Sequence, residues 1–249
     1  MVNPTKLYQI WVYLQTEPLF WLTLTIGAFL VADKIYKKYG LFPLLNPVAI
    51  SILLISSILV FFDLEYIRYF DGAKFIHFLL GPATVALAVP IFLNWNIVFK
   101  LRLAIMASVV LGSAFAVGIT LAISYFVSLD LITTKSLLPR SVTAPIAMGI
   151  AEIIGGVPSL TAIITIVTGI FGAAFGTFIL DLFKFKSMAA RGFAFGLASH
   201  GIGTARAMSK NKDAGVFAAV AMGLSGIFTA ALLPLLFFVF RDLLGLAGQ

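Results

Sequence analysis

The sequence predicts an all-α, polytopic integral membrane protein with six to eight transmembrane segments, including two re-entrant or broken half-helices. Of the 249 residues, 61% are hydrophobic and 11% are charged, and the mean hydropathy is +1.09. A water-soluble domain carries about 25% charged and about 45–50% apolar residues. The composition therefore excludes a cytosolic enzyme, a disordered tail and a nucleic-acid-binding module, and it makes the lipid bilayer an expected partner.

The residue types that build catalytic and metal centres are scarce. The chain has no Cys and two His, which removes thiolate ligands, cysteine nucleophiles and disulfides and leaves little for a multi-ligand metal site. No nucleophile stands with a base in a pattern typical of a catalytic site. We therefore expect neither an enzyme nor a bound cofactor or metal.

Charge-free stretches locate the helices, because an α-helix needs about 20 apolar residues to cross the hydrocarbon. Five stretches are long enough: 39–62, 75–99, 103–129, 153–180 and 214–240. A sixth, 18–32, is shorter, but Trp21 and the flanking charges suit a span anchored at the membrane interface. Two further apolar stretches, 141–151 and 192–205, are too short to cross, and they are the predicted half-helices.

The positions of the 17 Lys and Arg residues distinguish two topologies. If all eight stretches span, these residues divide eight to nine between the two sides, which gives no orientation signal. If segments 136–155 and 187–209 each enter and leave on one face, they divide eleven to six. The second topology is favoured, with six full spans, both termini outside, and two half-membrane segments that enter from opposite faces.

The chain is predicted to form one domain. No Ala-x-Ala cleavage site follows the N-terminal lysine, so residues 1–17 are predicted to be an interfacial lead-in that stays attached. Residues 18–245 are predicted to be a single transmembrane domain, because no water-soluble segment interrupts them.

Half-membrane segments predict a polar cavity within the bilayer. Their unpaired backbone groups persist only where protein or a water-filled cavity surrounds them. The N-termini of the half-helices then direct N–H groups and a positive dipole end into the cavity, which favours anions. Secondary transporters build their binding sites in this way.

Three polar clusters interrupt the apolar background. Each has a structural alternative: a proline kink at residues 82–84, a helix cap at 141–143, and a satisfied core histidine at His200. Snorkelling at the membrane surface would explain Arg206. Glu152 and His200 are the candidate coupling residues, because an ionisable group at membrane depth needs a partner or a proton. The candidate substrate-binding residues are Pro82, Ala83, Thr84, Ser141, Val142, Thr143, Ser159, His200, Gly201, Thr204 and Arg206.

Four motifs around these residues resemble the LrgB/CidB family, in the same order and over residues 20–245. They are LGPATVALAVP at 80–90, PRSVTAPIA at 139–147, GGVPSLTA at 155–162 and SHGIGTARA at 199–207. The family is named for antiholin-like proteins that modulate murein hydrolase activity and cell lysis with a small LrgA/CidA-like membrane protein. Its plastid relatives resemble LrgA fused to LrgB and are glycolate/glycerate translocators, and some bacterial members are linked to pyruvate uptake.

The resemblance implies a multi-pass protein of the cell inner (plasma) membrane with a separate LrgA/CidA-like partner. It also implies small 2-hydroxy or 2-oxo monocarboxylates as solutes, which agrees with the predicted anion cavity. We therefore expect a secondary transporter that works by alternating access, with H⁺ or Na⁺ as coupling ion. Arg206 is predicted to hold the carboxylate, and hydroxyl donors are predicted at Thr84, Ser141, Thr143 and Ser159.

The alternative function is an antiholin-like regulator of murein hydrolase activity and cell lysis. It would depend on the ratio of the chain to its LrgA-like partner and would show no saturable solute flux. A homo-oligomer is compatible with both functions.

Overall fold

The computed structural model describes residues 13–14, 16–40, 42, 45–86 and 88–243, and all regular structure in these ranges is helical. The all-α prediction is therefore confirmed. Four helices in the described residues are long and apolar enough to cross a membrane: Pro18–Lys38, Arg102–Phe126, Pro158–Leu182 and Lys212–Val239. The total of six to eight segments stays a prediction.

The chain divides into two compact units, Met1–Ala83 and Thr84–Gln249. Such a division does not test whether residues 18–245 fold as one domain, so the single domain stays a prediction. The predicted lead-in, 1–17, lies mostly outside the described residues.

The first unit contains α1 (Pro18–Lys38), α2 (Pro47–Phe61) and α3 (Tyr66–Phe78), and α1 packs against both of the others. Trp21 is 1% exposed and anchors α1 on α3. A Cβ at Gly72 would lie 2.6 Å from the Trp21 ring, so α3 approaches the indole where it has no side chain. The Tyr69 ring meets the same indole edge-on at a centroid distance of 5.7 Å.

Nine further helices complete the described part of the chain, and most of them belong to the second unit. They are α4 (Leu80–Ala86), α5 (Ala88–Leu93), α6 (Trp95–Lys100), α7 (Arg102–Phe126), α8 (Leu131–Leu137), α9 (Ala144–Ile154), α10 (Pro158–Leu182), α11 (Met188–Lys210) and α12 (Lys212–Leu243).

The described residues of the predicted span at 75–99 do not form one continuous helix, because turns at Leu79 and Asn94 interrupt them. Whether this stretch crosses the membrane stays a prediction. Pro82 lies in the first turn of α4, where the missing N–H costs no helical hydrogen bond. Asn94 occupies the N-cap position of α6. Hydropathy alone does not detect these interruptions.

Residues 136–157 form the first hairpin, whose two ends meet. The backbone N–H of Val157 donates to Ser136 Oγ at 2.8 Å, and Thr161 Oγ1 donates to the Ser136 carbonyl at 2.9 Å. The chain turns between α8 and α9, and α9 returns over about 16 Å. It ends at Gly155, whose φ of +78° is the left-handed conformation that suits glycine.

The mouth of the first hairpin contains a buried cation. Lys135 is 7% exposed, and its Nζ lies 4.9 Å from the Phe237 ring centroid. The same Nζ lies 3.5 Å from where a Cβ at Gly155 would stand, beside the C-terminus of α9. A cation is favourable there because the C-terminal end of a helix carries partial negative charge.

An N-cap fixes the start of α8, which leads into the first hairpin. Asp130 accepts hydrogen bonds from the Thr133 backbone N–H at 2.8 Å and from Thr133 Oγ1 at 2.6 Å. These bonds favour the charged carboxylate, so they hold the pKa of Asp130 below its ordinary value.

Residues 188–210 form the second hairpin, because α11 is broken at Ser199 and His200, which have non-helical backbone angles. Phe195 and Ala207 pack in one buried cluster, although a straight helix would separate them by about 18 Å. A Cβ at Gly203 would lie 2.5 Å from the Phe195 carbonyl oxygen. The two halves of α11 therefore fold back on each other.

Small residues let the second hairpin pack closely on the first half of α12. A Cβ at Gly192 would collide with the carbonyl of Ala214, and one at Gly196 with the carbonyl of Ala218. Backbones approach this closely where at least one helix presents glycine, which is typical of helix packing in membranes.

We expect Gly196→Ala to lower the free energy of unfolding by about 1–3 kcal/mol, because the added methyl group must displace the backbone of α12. Gly118→Ala in α7 is the matched control: nothing lies within 4 Å of its Cβ position, and a small gain of up to about 1 kcal/mol is expected. Denaturant unfolding of the purified chain in nanodiscs measures both. Equal changes would contradict the close packing of α11 on α12.

Candidate functional site

An open cavity of about 730 Å³ lies on the second unit, and two of its aromatic walls, Phe115 and Phe171, are 70% and 60% exposed. Its walls come from α7, α10, the first half of α11 and the turn between α8 and α9. Aromatic and aliphatic side chains form most of the lining, including Phe115, Phe171, Phe175 and Leu197. The polar lining residues are Arg140, Ser141, Thr168 and Ser199. An apolar cleft with a few convergent polar groups is typical of small-molecule sites.

Arg140 is the only charged residue among the described residues that line the cavity. Its side chain is half-buried, and its Nε donates to Thr120 Oγ1 of α7 at 3.2 Å. No carboxylate pairs with Arg140 in the described part of the chain. The guanidinium is thus oriented by α7 and retains N–H donors that match a carboxylate.

The turns of both hairpins meet at this cavity. Arg140 and Ser141 belong to the turn of the first hairpin, and Ser199 belongs to the break in α11. The mouth of the first hairpin lies beside the start of α10, where Thr161 bonds to Ser136. The mouth of the second lies beside the end of α10, where Arg191 Nη1 pairs with Asp181 at 2.6 Å. The hairpins therefore enter from opposite ends of α10 and meet near its middle.

The contacts of α12 also place the two hairpins at opposite ends of a long helix. Its first half packs against the second hairpin at Ala214 and Ala218. Its second half packs against the first hairpin, with Leu233 in the core cluster and Phe237 above Lys135. Gly226, between them, lies beside Ile146 in the first turn of α9.

The break in α11 is closed by hydrogen bonds. His200 is buried with a φ of +40°, and its Nε2 donates to the Thr165 carbonyl at 2.8 Å. Thr204 Oγ1 donates back to the His200 carbonyl at 2.7 Å. Gly169 and Gly172 leave room on α10 for His200 and Ser199, since a Cβ at either glycine would collide with them. The buried His200 ring is thus hydrogen-bonded to α10, and its predicted roles in binding and coupling stay predictions.

Comparison with known proteins identifies the family, because the LrgB-like family matches residues 25–239. The chain belongs to the LrgB-like family. It is 35% identical over 220 residues to the uncharacterized protein YxaC of Bacillus subtilis, which covers 88% of this chain and 94% of the relative. No solved structure matches the chain.

Two further relatives of this LrgB-like protein carry the name holin-like protein CidB. The protein from Staphylococcus epidermidis is 34% identical over 219 residues, which covers 87% of this chain and 94% of the relative. The protein from Staphylococcus aureus is 32% identical over 227 residues, which covers 90% of this chain and 97% of the relative. The family resemblance inferred from the four motifs is therefore confirmed.

Some predicted residues of the LrgB-like motifs lie at the cavity or beside it. Ser141 lines it, and His200 and Thr204 close the break next to it. Thr143 occupies the N-cap position of α9, and its Oγ1 is buried without a hydrogen-bond partner among the described residues. Gly201 follows the break and is exposed.

Other predicted residues lie elsewhere, and their roles stay predictions. Val142 is packed in the core with Leu138 and Ile150. Arg206 is buried but is not among the residues that line the cavity. Three are exposed: Pro82 in α4, Glu152 near the end of α9 and Ser159 at the start of α10. Ala83 and Thr84 belong to α4, and their side chains lie outside the described part of the structure.

Sequence reasoning missed Arg140, Thr168 and Ser199 as lining residues. A signal for Arg140 was present, since this arginine directly precedes the apolar stretch 141–151 and marks a boundary that needs solvation. Thr168 lies inside a long apolar helix, and only the packing of α10 against the hairpins reveals its position.

We expect His200→Gly to be more stable than His200→Ala by roughly 1 kcal/mol, because only glycine adopts a φ of +40° without strain. Both variants lack the imidazole, so the difference isolates the backbone. The control is Ala205, which is exposed in the helical second half of α11. There, Ala205→Gly should lower the free energy of unfolding by about 1 kcal/mol. If alanine were also preferred at position 200, the break would not be present in the folded protein.

Proposed function

We propose that this LrgB-like protein is a secondary transporter of small 2-hydroxy or 2-oxo monocarboxylates in the plasma membrane, and that Arg140 binds the carboxylate. The main support is the half-buried guanidinium of Arg140, which lies where two helix breaks meet and has no carboxylate partner in the described residues. A bound anion would supply the charge that the site lacks.

The surrounding groups suit a small oxygen-rich anion. Ser141 and Ser199 place hydroxyl groups on the same cavity as Arg140. In both hairpins the second helix begins at the turn, and the start of a helix carries partial positive charge. One guanidinium with hydroxyl donors fits a single carboxylate and its 2-substituent.

The lengths of the helices support two half-membrane segments. Thr204, just past the break in α11, contacts Met222 of α12, with Oγ1 and the sulfur 3.6 Å apart. Met222 lies about 15 Å along α12 from Lys212, which is half of a hydrocarbon core about 30 Å thick. We infer that the second hairpin turns near the bilayer midplane, and that the first enters from the opposite face.

Single cysteines test this topology directly, because the chain has no native Cys. We expect a membrane-impermeant thiol reagent to label Lys186→Cys and Lys210→Cys from one side of the membrane and Val157→Cys from the other. These positions are exposed, next to the mouths of the hairpins. Labelling of Lys186→Cys and Lys210→Cys from opposite sides would mean that residues 188–210 cross the membrane.

The names of the relatives support a second function more directly than transport. Two Staphylococcus relatives are named holin-like protein CidB. The second candidate is therefore an antiholin-like regulator of murein hydrolase activity and cell lysis that acts with an LrgA-like partner. It requires no saturable flux through the cavity.

Uptake of labelled pyruvate and glycolate into proteoliposomes distinguishes the two candidates, with the chain reconstituted alone and with an LrgA-like protein. We expect saturable uptake with counterflow, reduced about tenfold or more in Arg140→Gln, because a charge-assisted hydrogen bond contributes about 1.5–3 kcal/mol. Arg102→Gln is the matched control, since Arg102 is exposed and lies outside the cavity.

Further variants and ion gradients in the same uptake assay test the carboxylate ligand, the coupling ion and the coupling residues that the sequence predicts. Arg206→Gln compares the predicted carboxylate ligand with Arg140, and imposed H⁺ and Na⁺ gradients identify a coupling ion. Glu152→Gln and His200→Gln test the coupling residues, with unfolding curves as the control for folding. Absence of saturable flux from correctly folded protein in both preparations would favour the lysis regulator.

A further inference from the structure

We infer that the mouth of the second hairpin binds the phosphate headgroup of an anionic phospholipid, with Arg191 and Lys210 as its cationic ligands. This site does not include Arg140 and does not depend on transport. It rests on the half-membrane placement of the second hairpin proposed above. Its basis is a small cavity at the mouth, the charges that line this cavity and its position along α12.

A cavity of about 260 Å³ lies at the mouth of the second hairpin. Met188 and Arg191 line it from the start of α11, and Lys210 and Asn211 line it from the end of α11. Thr177 of α10 adds a hydroxyl group to the same lining. The two ends of the hairpin therefore face one space, and a ligand in this space would contact both of them.

The charged lining of this cavity is cationic. Arg191 and Lys210 are its charged residues, and no carboxylate lines it in the described part of the chain. The Arg191 side chain is 14% exposed and is held in place, because Nη1 donates to Asp181 Oδ1 at 2.6 Å and to the Phe185 carbonyl at 2.9 Å. These bonds use one nitrogen of the guanidinium, so Nε and Nη2 remain as donors for an anion.

The other donors of the lining suit the oxygens of a phosphate. Lys210 forms no ion pair within the described residues. Asn211 accepts the Ala214 backbone N–H at 3.1 Å through Oδ1, so its Nδ2 amide is left as a donor. A guanidinium, an ammonium and an amide offer N–H groups from different directions, which matches the tetrahedral oxygens of a phosphate.

The position of the cavity favours a phosphate that belongs to a lipid. Met222 lies about 15 Å along α12 from Lys212, which is half of a hydrocarbon core about 30 Å thick. A hairpin that turns near the midplane therefore has its mouth where the hydrocarbon meets the headgroups. Deeper along the hairpin, Phe195, Ala207 and Ala214 line the cavity with apolar atoms. A phospholipid has the same order, with its phosphate at the surface and its acyl chains below.

Exposed lysines surround this cavity. Lys184 and Lys186 lie in the loop before α11, and Lys212 begins α12. The mouth of the first hairpin differs, because its cation, Lys135, is buried and Glu152 nearby is exposed. Basic pockets between membrane helices bind anionic headgroups, and each Lys or Arg near the surface adds to the attraction. The mouth of the second hairpin is therefore the one that suits an anionic leaflet.

Native mass spectrometry of the full chain in detergent micelles tests this site, with phosphatidylglycerol and phosphatidylcholine of identical acyl chains as probes. We expect one phosphatidylglycerol to bind at least about tenfold more tightly than phosphatidylcholine. Lys210→Gln should weaken this binding about fivefold. Lys212→Gln is the matched control, because it removes the same charge outside the lining. Its effect should be less than about twofold, since an exposed charge away from the phosphate is screened by salt.

Four comparisons decide the outcome. Equal binding of the two lipids would overturn the inference. Equal losses in Lys210→Gln and Lys212→Gln would also overturn it, because the lipid would then follow diffuse surface charge. Displacement of the lipid by an equal concentration of glycerol 3-phosphate would show a site for soluble phosphates instead. Arg140→Gln should bind phosphatidylglycerol as the unchanged chain does, so a failure of the carboxylate site would leave this inference intact. Unfolding curves in phosphatidylcholine that match the unchanged chain confirm that each variant is folded.

Discussion

The described structure of the second unit depends on one constraint: a peptide group within a bilayer must find its hydrogen-bond partner inside the protein. The break in α11 satisfies this constraint locally. The His200 ring bonds to α10, and Thr204 returns a hydroxyl to the His200 carbonyl. The break can therefore persist in an apolar environment, and its neighbours can face a cavity.

The same constraint explains why hydroxyl and glycine residues accumulate where the hairpins meet the long helices. Ser136 is fully buried and connects α8 to the start of α10, while a glycine next to it, Gly156, admits the approaching backbone. Hydroxyl groups satisfy backbone atoms without adding bulk, and glycines remove the bulk that would keep the helices apart. Lys135 adds a charge that complements the C-terminus of α9.

Sequence patterns predicted the helical class because apolar length is a local property, and four motifs predicted the family. The half-membrane topology of the two hairpins stays a prediction. The segment 192–205 forms most of the second hairpin, and no proline in the sequence marks its break at Ser199 and His200, which contacts Thr165 and Gly169 of α10. Hydropathy did not detect the turns at Leu79 and Asn94, which interrupt the predicted span at 75–99. The cavity lining could not be predicted, because it depends on which faces of α7 and α10 meet.

The short sequence separation of the contacts that close each hairpin has a consequence for biosynthesis. Ser136 bonds to residues 21 and 25 positions further along the chain, and His200 bonds 35 positions back. Contacts of low sequence separation form quickly because little loop entropy is lost. The first hairpin bonds to the helix that follows it and the second bonds to a helix already synthesised, so assembly can follow the order of synthesis.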